Sequence, residues 1–270
     1  MNKISTYFIF FLTALSSFSQ SNKGWFSKTT SPLFELQLNA AVPHGDFAHN
    51  THSVGFGGSL DYYYPFSKNL PLYIGFSGGG ALMGSHSQHL HRDIEISVGN
   101  TIIDVIPIDL DVRTNNAIWN GFIKLRAVAP FPLIKVYFDG LIGLNYLNTS
   151  TTIYDRTQYG WLSVDGTDVV NSSTQLGSWT FAYGGEAGFI IPTSDIGAFK
   201  FGLSYIIGGN AEYYDETQIN EWDVQFSGEG TYNPNDLNND DFEINQNATP
   251  RLSATNMFLI SFGFSKYLGL

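Results

Sequence analysis

Residues 34–42 read FELQLNAAV. Phe34, Leu36, Leu38, Ala40 and Val42 share one face, while Glu35, Gln37 and Asn39 share the other. A period of two marks an extended strand, because successive side chains point to opposite sides. One face is apolar throughout; the other carries a charge and two amides. Whether the apolar face looks into a core or out into lipid decides the fold.

The pattern recurs down the chain. SVGFGGSLDYYY (53–64) sets Val54, Phe56, Leu60, Tyr62 and Tyr64 against Gly55, Gly57, Ser59 and Asp61. PLYIGFSGGGALM (71–83) opposes Leu72, Ile74 and Phe76 to Tyr73, Gly75 and Ser77. AIWNGFIKLRAVA (117–129) opposes Trp119, Ile123 and Leu125 to Asn120, Lys124 and Arg126. LIKVYFDGLIGLNYL (133–147), SWTFAYGGEAGFII (178–191), AFKFGLSYII (198–207) and SATNMFLISFGFSKYL (253–268) read the same way. These eight candidate strands are longer than the usual strand of about five or six residues. A tilted strand needs about nine to eleven residues to cross a bilayer.

Short and long connections alternate. PFSKNL, PFPL and PTSDIG are brief, while 43–52, 84–116, 148–177 and 208–252 are long. The second long one holds a strand-like pair, DIEISV and TIIDVIPIDLDV, around Gly99-Asn100. This pair is expected as a hairpin that extends the wall beyond the membrane and offers an edge to a partner protein, a simple rigid loop being the alternative. Short turns at one end and long loops at the other characterise an outer-membrane β-barrel. The expected fold is therefore all-β: an antiparallel up-and-down transmembrane β-barrel of about eight strands, with short periplasmic turns and long extracellular loops. A soluble exported β-sandwich shows the same alternation with its apolar face hidden between sheets. Strand length, loop asymmetry and the N-terminus favour the barrel.

That N-terminus begins with Lys3, continues as the apolar run YFIFFLTAL (7–15) and ends in SSFSQS (16–21). Residues 1–20 are expected to be a cleaved signal peptide, 21–32 a short N-terminal segment and 33–270 a single barrel domain. The expected location is the outer membrane of a Gram-negative bacterium. The chain has no cysteine, which excludes disulfides, thiolate metal sites and a lipidated cysteine anchor. A formal net charge of −11 without a Lys/Arg cluster argues against a nucleic-acid partner.

In strand length and loop alternation the chain resembles the eight-stranded outer-membrane barrels of the OmpA, OmpX and OmpW type. Its SQS processing region and aromatic-rich style also resemble the barrel-domain proteins of Bacteroidota. Phe262, Phe264 and Tyr267 resemble the C-terminal signal read by barrel-assembly machinery, although Leu270 stands where an aromatic is expected. The resemblance is architectural and carries no site residues with it.

Three groups of residues are candidates for function. The polar strand faces carry Glu35, Asp61, Asp139 and Glu186, and also Lys124, Arg126, Lys135 and Lys200. Eight strands leave an interior that side chains can fill. These charges are expected to pair there as a plug, the alternative being a narrow pore or small-ligand or metal uptake path. The second group is the histidines: His44, His49 and His52 in PHGDFAHNTH, and His86, His89 and His91 in GSHSQHLHRD. As loop residues on one side of the barrel they are expected to be able to converge as zinc or copper ligands; solvated loop positions are the alternative. The third lies in 208–250, which holds ten acids and no Lys or Arg. There Asp236, Asn238 and Asp240 keep the first spacings of a calcium loop. Asp241 replaces its turn glycine and Asn247 its bidentate glutamate.

No nucleophile elbow, zinc-protease helix or phosphate loop is present. The expected role is structural, surface-binding or accessory, without enzymatic activity or a required cofactor. The expected partners are outer-membrane lipid and a protein met through the extracellular loops.

Overall fold

The computed structural model describes residues 31–51, 53–67, 70–98, 101–131, 133–156, 169–193, 197–219, 223–226, 242–245 and 249–268. The expected signal peptide (1–20), His52 and the calcium-like Asp236, Asn238 and Asp240 lie outside them.

Strand β1 (Leu33–Pro43) holds the opening stretch, and its residues alternate buried and exposed as the sequence does. It pairs on one side with β2 (Gly55–Ser67), Glu35 standing opposite Asp61. A meander follows through β3 (Leu70–Val98), β4 (Thr101–Pro130), β5 (Lys135–Asp155), β6 (Val169–Pro192) and β7 (Ala198–Gly208). The segment after β7 holds short β8 (Asn210–Tyr213), β9 (Asp223–Phe226), β10 (Phe242–Asn245) and β11 (Arg251–Ala254). The last strand, β12 (Met257–Tyr267), pairs with both β7 and the free side of β1, Leu36 opposite Phe264. All eight wall strands run antiparallel, and the sheet closes into a barrel.

The apolar face points outward. Leu38 and Phe56 are each 69% exposed, Trp179 67% and Phe76 63%. The sandwich alternative is thereby corrected: one closed sheet hides its polar face and shows its apolar one. Outward aromatics align where the belt ends, Trp119 opposite Tyr146 and Tyr146 opposite Trp179. From Trp119 to Pro130 there are eleven strand steps. At about 3.3 Å each and a tilt of about 40°, they rise about 28 Å, close to the apolar band of such barrels.

Within the long second connection at 84–116, the strand pair DIEISV and TIIDVIPIDLDV is formed and extends the wall as expected; what differs is that the residues between it and the barrel are strand too. β3 and β4 run on as strands of 29 and 30 residues. β5 and β6 also continue beyond their expected ends, to 155 and back from 169. A four-stranded extension therefore rises from one side of the barrel. Its cause is visible in composition: DIEISV and TIIDVIPIDLDV are rich in β-branched residues. A register shift between Leu82 and Gly84 reverses the faces of β3. Met83 is buried below it, while His89 and His91 are exposed above it.

Candidate functional site

The barrel interior is layered. Nearest the short turns lies an apolar layer of Leu33, Tyr63, Tyr73, Val128, Tyr137, Ile190 and Ala198. Further from the turns, a second apolar cluster includes Ala41, Met83, Ile118, Phe122, Leu141 and Ile206. Charged side chains from six strands meet in the polar part of the interior.

Arg126 of β4 is fully buried and organises that cluster. Its Nη1 donates to Glu35 Oε1 at 2.6 Å, and its Nε to Asp139 Oδ1 at 2.8 Å. Nη2 adds bonds to Glu35 Oε2 at 3.1 Å and Asp139 Oδ2 at 2.8 Å. The guanidinium is thus forked onto two carboxylates, a geometry that lysine cannot supply. It also stacks between the Tyr63 ring, 3.9 Å to the centroid, and the Tyr137 ring at 4.3 Å. Lys200 Nζ lies 2.9 Å from Glu35 Oε2 and 2.8 Å from Glu186 Oε1. Lys124 donates to Asp61 at 2.7 Å and Glu186 at 3.3 Å. Neutral donors complete the shell: Ser77 to Asp61 at 2.6 Å, Tyr137 to Glu186 at 2.6 Å and Ser265 to Glu35 at 2.9 Å.

Four carboxylates therefore share three cations in this cluster. Lys135, expected as a fourth base, has the inward register but stands at the first position of β5, half-buried at the turn end. Tyr63 and Tyr137 belong to the network and were not among the expected residues; their strand parity, shared with Asp61 and Asp139, is the signal that marks them.

The far end is covered by the chain itself. Phe47 is buried in helix α1 (Asp46–Asn50), its ring 5.3 Å from that of Tyr213. Asn116 donates to the Tyr214 carbonyl at 2.9 Å, and Gln88 to the Ile219 carbonyl at 3.2 Å. Asp215, next in the chain, is paired with Arg251. A cavity beside Lys124 and Glu186 measures about 20 Å³, room for about one water molecule.

The histidines separate. His44 leaves β1 with its ring edge-on to Tyr205, 5.8 Å away, and Phe258, 5.3 Å away. His49 is exposed in α1, and His86 faces the opposite side of β3 from His89 and His91. His89 Nδ1 is 2.9 Å from Asp111 Oδ1, and His91 Nδ1 is 2.6 Å from Asp109 Oδ1. The five described histidines do not converge on one point: His44, His49, His86 and the His89/His91 pair sit on different elements or faces. Among the described residues no three His, Asp or Glu side chains already stand as a metal-binding group.

Asp111 is also bonded by Arg156 Nε at 3.1 Å. Arg113 and Arg156 both lie over the Tyr154 ring, at 5.0 and 5.4 Å. The His89 ring N–H and the Arg156 guanidinium hold the Asp111 carboxyl below its ordinary value.

No family model and no curated protein matches the chain. Among solved structures it is similar to Neisserial surface protein A, at 9% identity over 88% of this chain and 97% of that one, TM-score 0.43. It is also similar to Ail, the attachment invasion locus protein of Yersinia pestis. In complex with the heparin analogue sucrose octasulfate, Ail aligns at 11% identity over 87% of this chain and 96% of that one, TM-score 0.34. A second Ail structure aligns at 12% identity over 87% and 98%, TM-score 0.33.

Proposed function

We propose that this chain is an exported outer-membrane β-barrel of a Gram-negative bacterium. Its lumen is closed, and it works through what it presents outside the membrane. The observation that carries this reading is the outward belt of exposed apolar side chains around a closed sheet. Such a surface is far larger than the few hundred Å² of apolar patch that a soluble monomer exposes. Lipid satisfies it, and closure leaves no backbone edge unpaired in hydrocarbon.

The layering supports the closed lumen. Cations and carboxylates neutralise one another, an apolar cluster lies toward each end, and the segment after β7 covers the far end. Held by Arg126 and Lys200, Asp139 and Glu186 act as counter-ions and not as an acid/base pair. Function then falls to the extended sheet and the loops, in a structural or surface-binding role toward a protein partner.

The test is reconstitution of the folded chain into planar bilayers and vesicles. Insertion without stable conductance supports the reading. A stable ion current overturns the closed lumen, and recovery in the soluble fraction overturns the membrane assignment.

A further inference from the structure

We propose that His89, His91 and Asp109 form a solvent-exposed site for a transition-metal ion of the zinc or copper class. Asp111 and Arg156 hold His89 in position for it.

The pairing register builds the site. His89 and His91 lie two positions apart on β3 and share a face; Asp111 and Asp109 stand directly opposite them on β4. The imidazole side chains are each 60% exposed, so an ion reaches them from water. Asp109 Oδ1 is near both rings, 2.6 Å from His91 Nδ1 and 3.9 Å from His89 Nε2. Zinc bonds of about 2.0–2.1 Å at tetrahedral angles place ligand atoms about 3.3 Å apart, so the first spacing needs to open by about 0.7 Å and the second to close by about 0.6 Å.

The proton positions favour the same assignment. An ionised carboxylate only accepts, so the 2.9 Å contact to Asp111 puts the His89 proton on Nδ1. The lone pair is then on Nε2, the atom facing Asp109. A ligating histidine whose other ring nitrogen donates to a carboxylate is the usual orientation device of metal sites. Arg156, on the second Asp111 oxygen, fixes that carboxylate in turn.

The site is not closed without the ion. Binding replaces the hydrogen bond between His91 and Asp109: both become ligands, and the His91 proton passes by exchange with water to Nε2. Two nitrogens and one oxygen leave a fourth position for water, which suits zinc or copper better than calcium or magnesium. His86 faces the other way and takes no part.

The experiment is titration of the purified, folded full chain in detergent with Zn²⁺, and separately with Cu²⁺, by calorimetry. One site per chain is expected. His89→Ala, His91→Ala and Asp109→Asn should each weaken it at least tenfold, and Asp111→Asn about tenfold through His89. His86→Ala and the double change His44→Ala/His49→Ala should leave it unchanged. Circular dichroism of each variant confirms that strand content is kept. No binding of either metal overturns the proposal, as does undiminished affinity in the His89→Ala/His91→Ala double variant.

Discussion

Arg126 and Glu35 meet across the barrel interior at 2.6 Å, although β4 and β1 are separated in the sheet by β3 and β2. The bond ties opposite parts of the wall together. Removing the guanidinium leaves Glu35 and Asp139 buried without their main partner. Arg126→Met should destabilise the barrel by about 3–5 kcal/mol. In urea unfolding from vesicles, Arg126→Met/Glu35→Gln should lose less than the sum of the two single changes. Strict additivity would show that the pair is not coupled.

Gly143 on β5 has no room for a side chain, because a Cβ there would run into the Gly121 carbonyl of β4. Gly140, on the same strand, faces open space. Gly143→Ala should cost about 1–3 kcal/mol, and Gly140→Ala less than about 0.5 kcal/mol. Equal losses in the same unfolding assay would contradict this close approach of β4 and β5.

These two glycines show how far the sequence reaches. Alternation separates the faces, and so places Ile142 outside and Asp139 inside. It also brings Glu35, Asp61, Lys124, Arg126, Asp139, Glu186 and Lys200 to one interior. The neighbours of each side chain depend on register, which a single strand does not encode. Hence the sequence does not reveal that Tyr63 and Tyr137 flank Arg126. Nor does it reveal that Asp109 and Asp111 face His91 and His89, because the shift at Leu82/Gly84 sets which face of β3 those histidines occupy. Polar residues such as Ser85, Ser87 and Thr114 read as loop in the sequence, yet they lie in strands, because pairing between neighbouring strands satisfies their backbones despite that composition.

Charge should separate the belt from the extension. Ile142 is 51% exposed and stands well below the Trp119–Tyr146–Trp179 row. Ile142→Arg should cost about 2–4 kcal/mol in a bilayer, whereas Thr152→Arg on the extension should cost about 0–1 kcal/mol. Comparable stability of the two variants in vesicles would place Ile142 outside the hydrocarbon.

Acid should loosen the extension before the barrel. Asp111 has a lowered pKa, so its contribution is complete above the unfolded carboxylate value of about 3.9 and is lost as pH falls through the folded one. The charged groups against it are His89 on β3 and Arg156 after β5, with Arg113 beside them over Tyr154. Amide exchange in β3 and β4 above Gly84, corrected for intrinsic rates, should accelerate below that window in the native chain. In Asp111→Asn the step should be absent. An identical acid step in both chains would assign it to another group.

The outward belt can be measured directly, because the chain has no cysteine. Single cysteines at Phe138, Ile142 and Leu144 on β5, and at Thr152 on the extension, can each carry a nitroxide in reconstituted vesicles. Collision with oxygen, which concentrates in lipid, and with a water-soluble nickel chelate then reports each position's surroundings. A lipid-facing belt gives high oxygen and low nickel access at 138, 142 and 144, and the reverse at 152. Nickel access at 142 equal to that at 152 would contradict it.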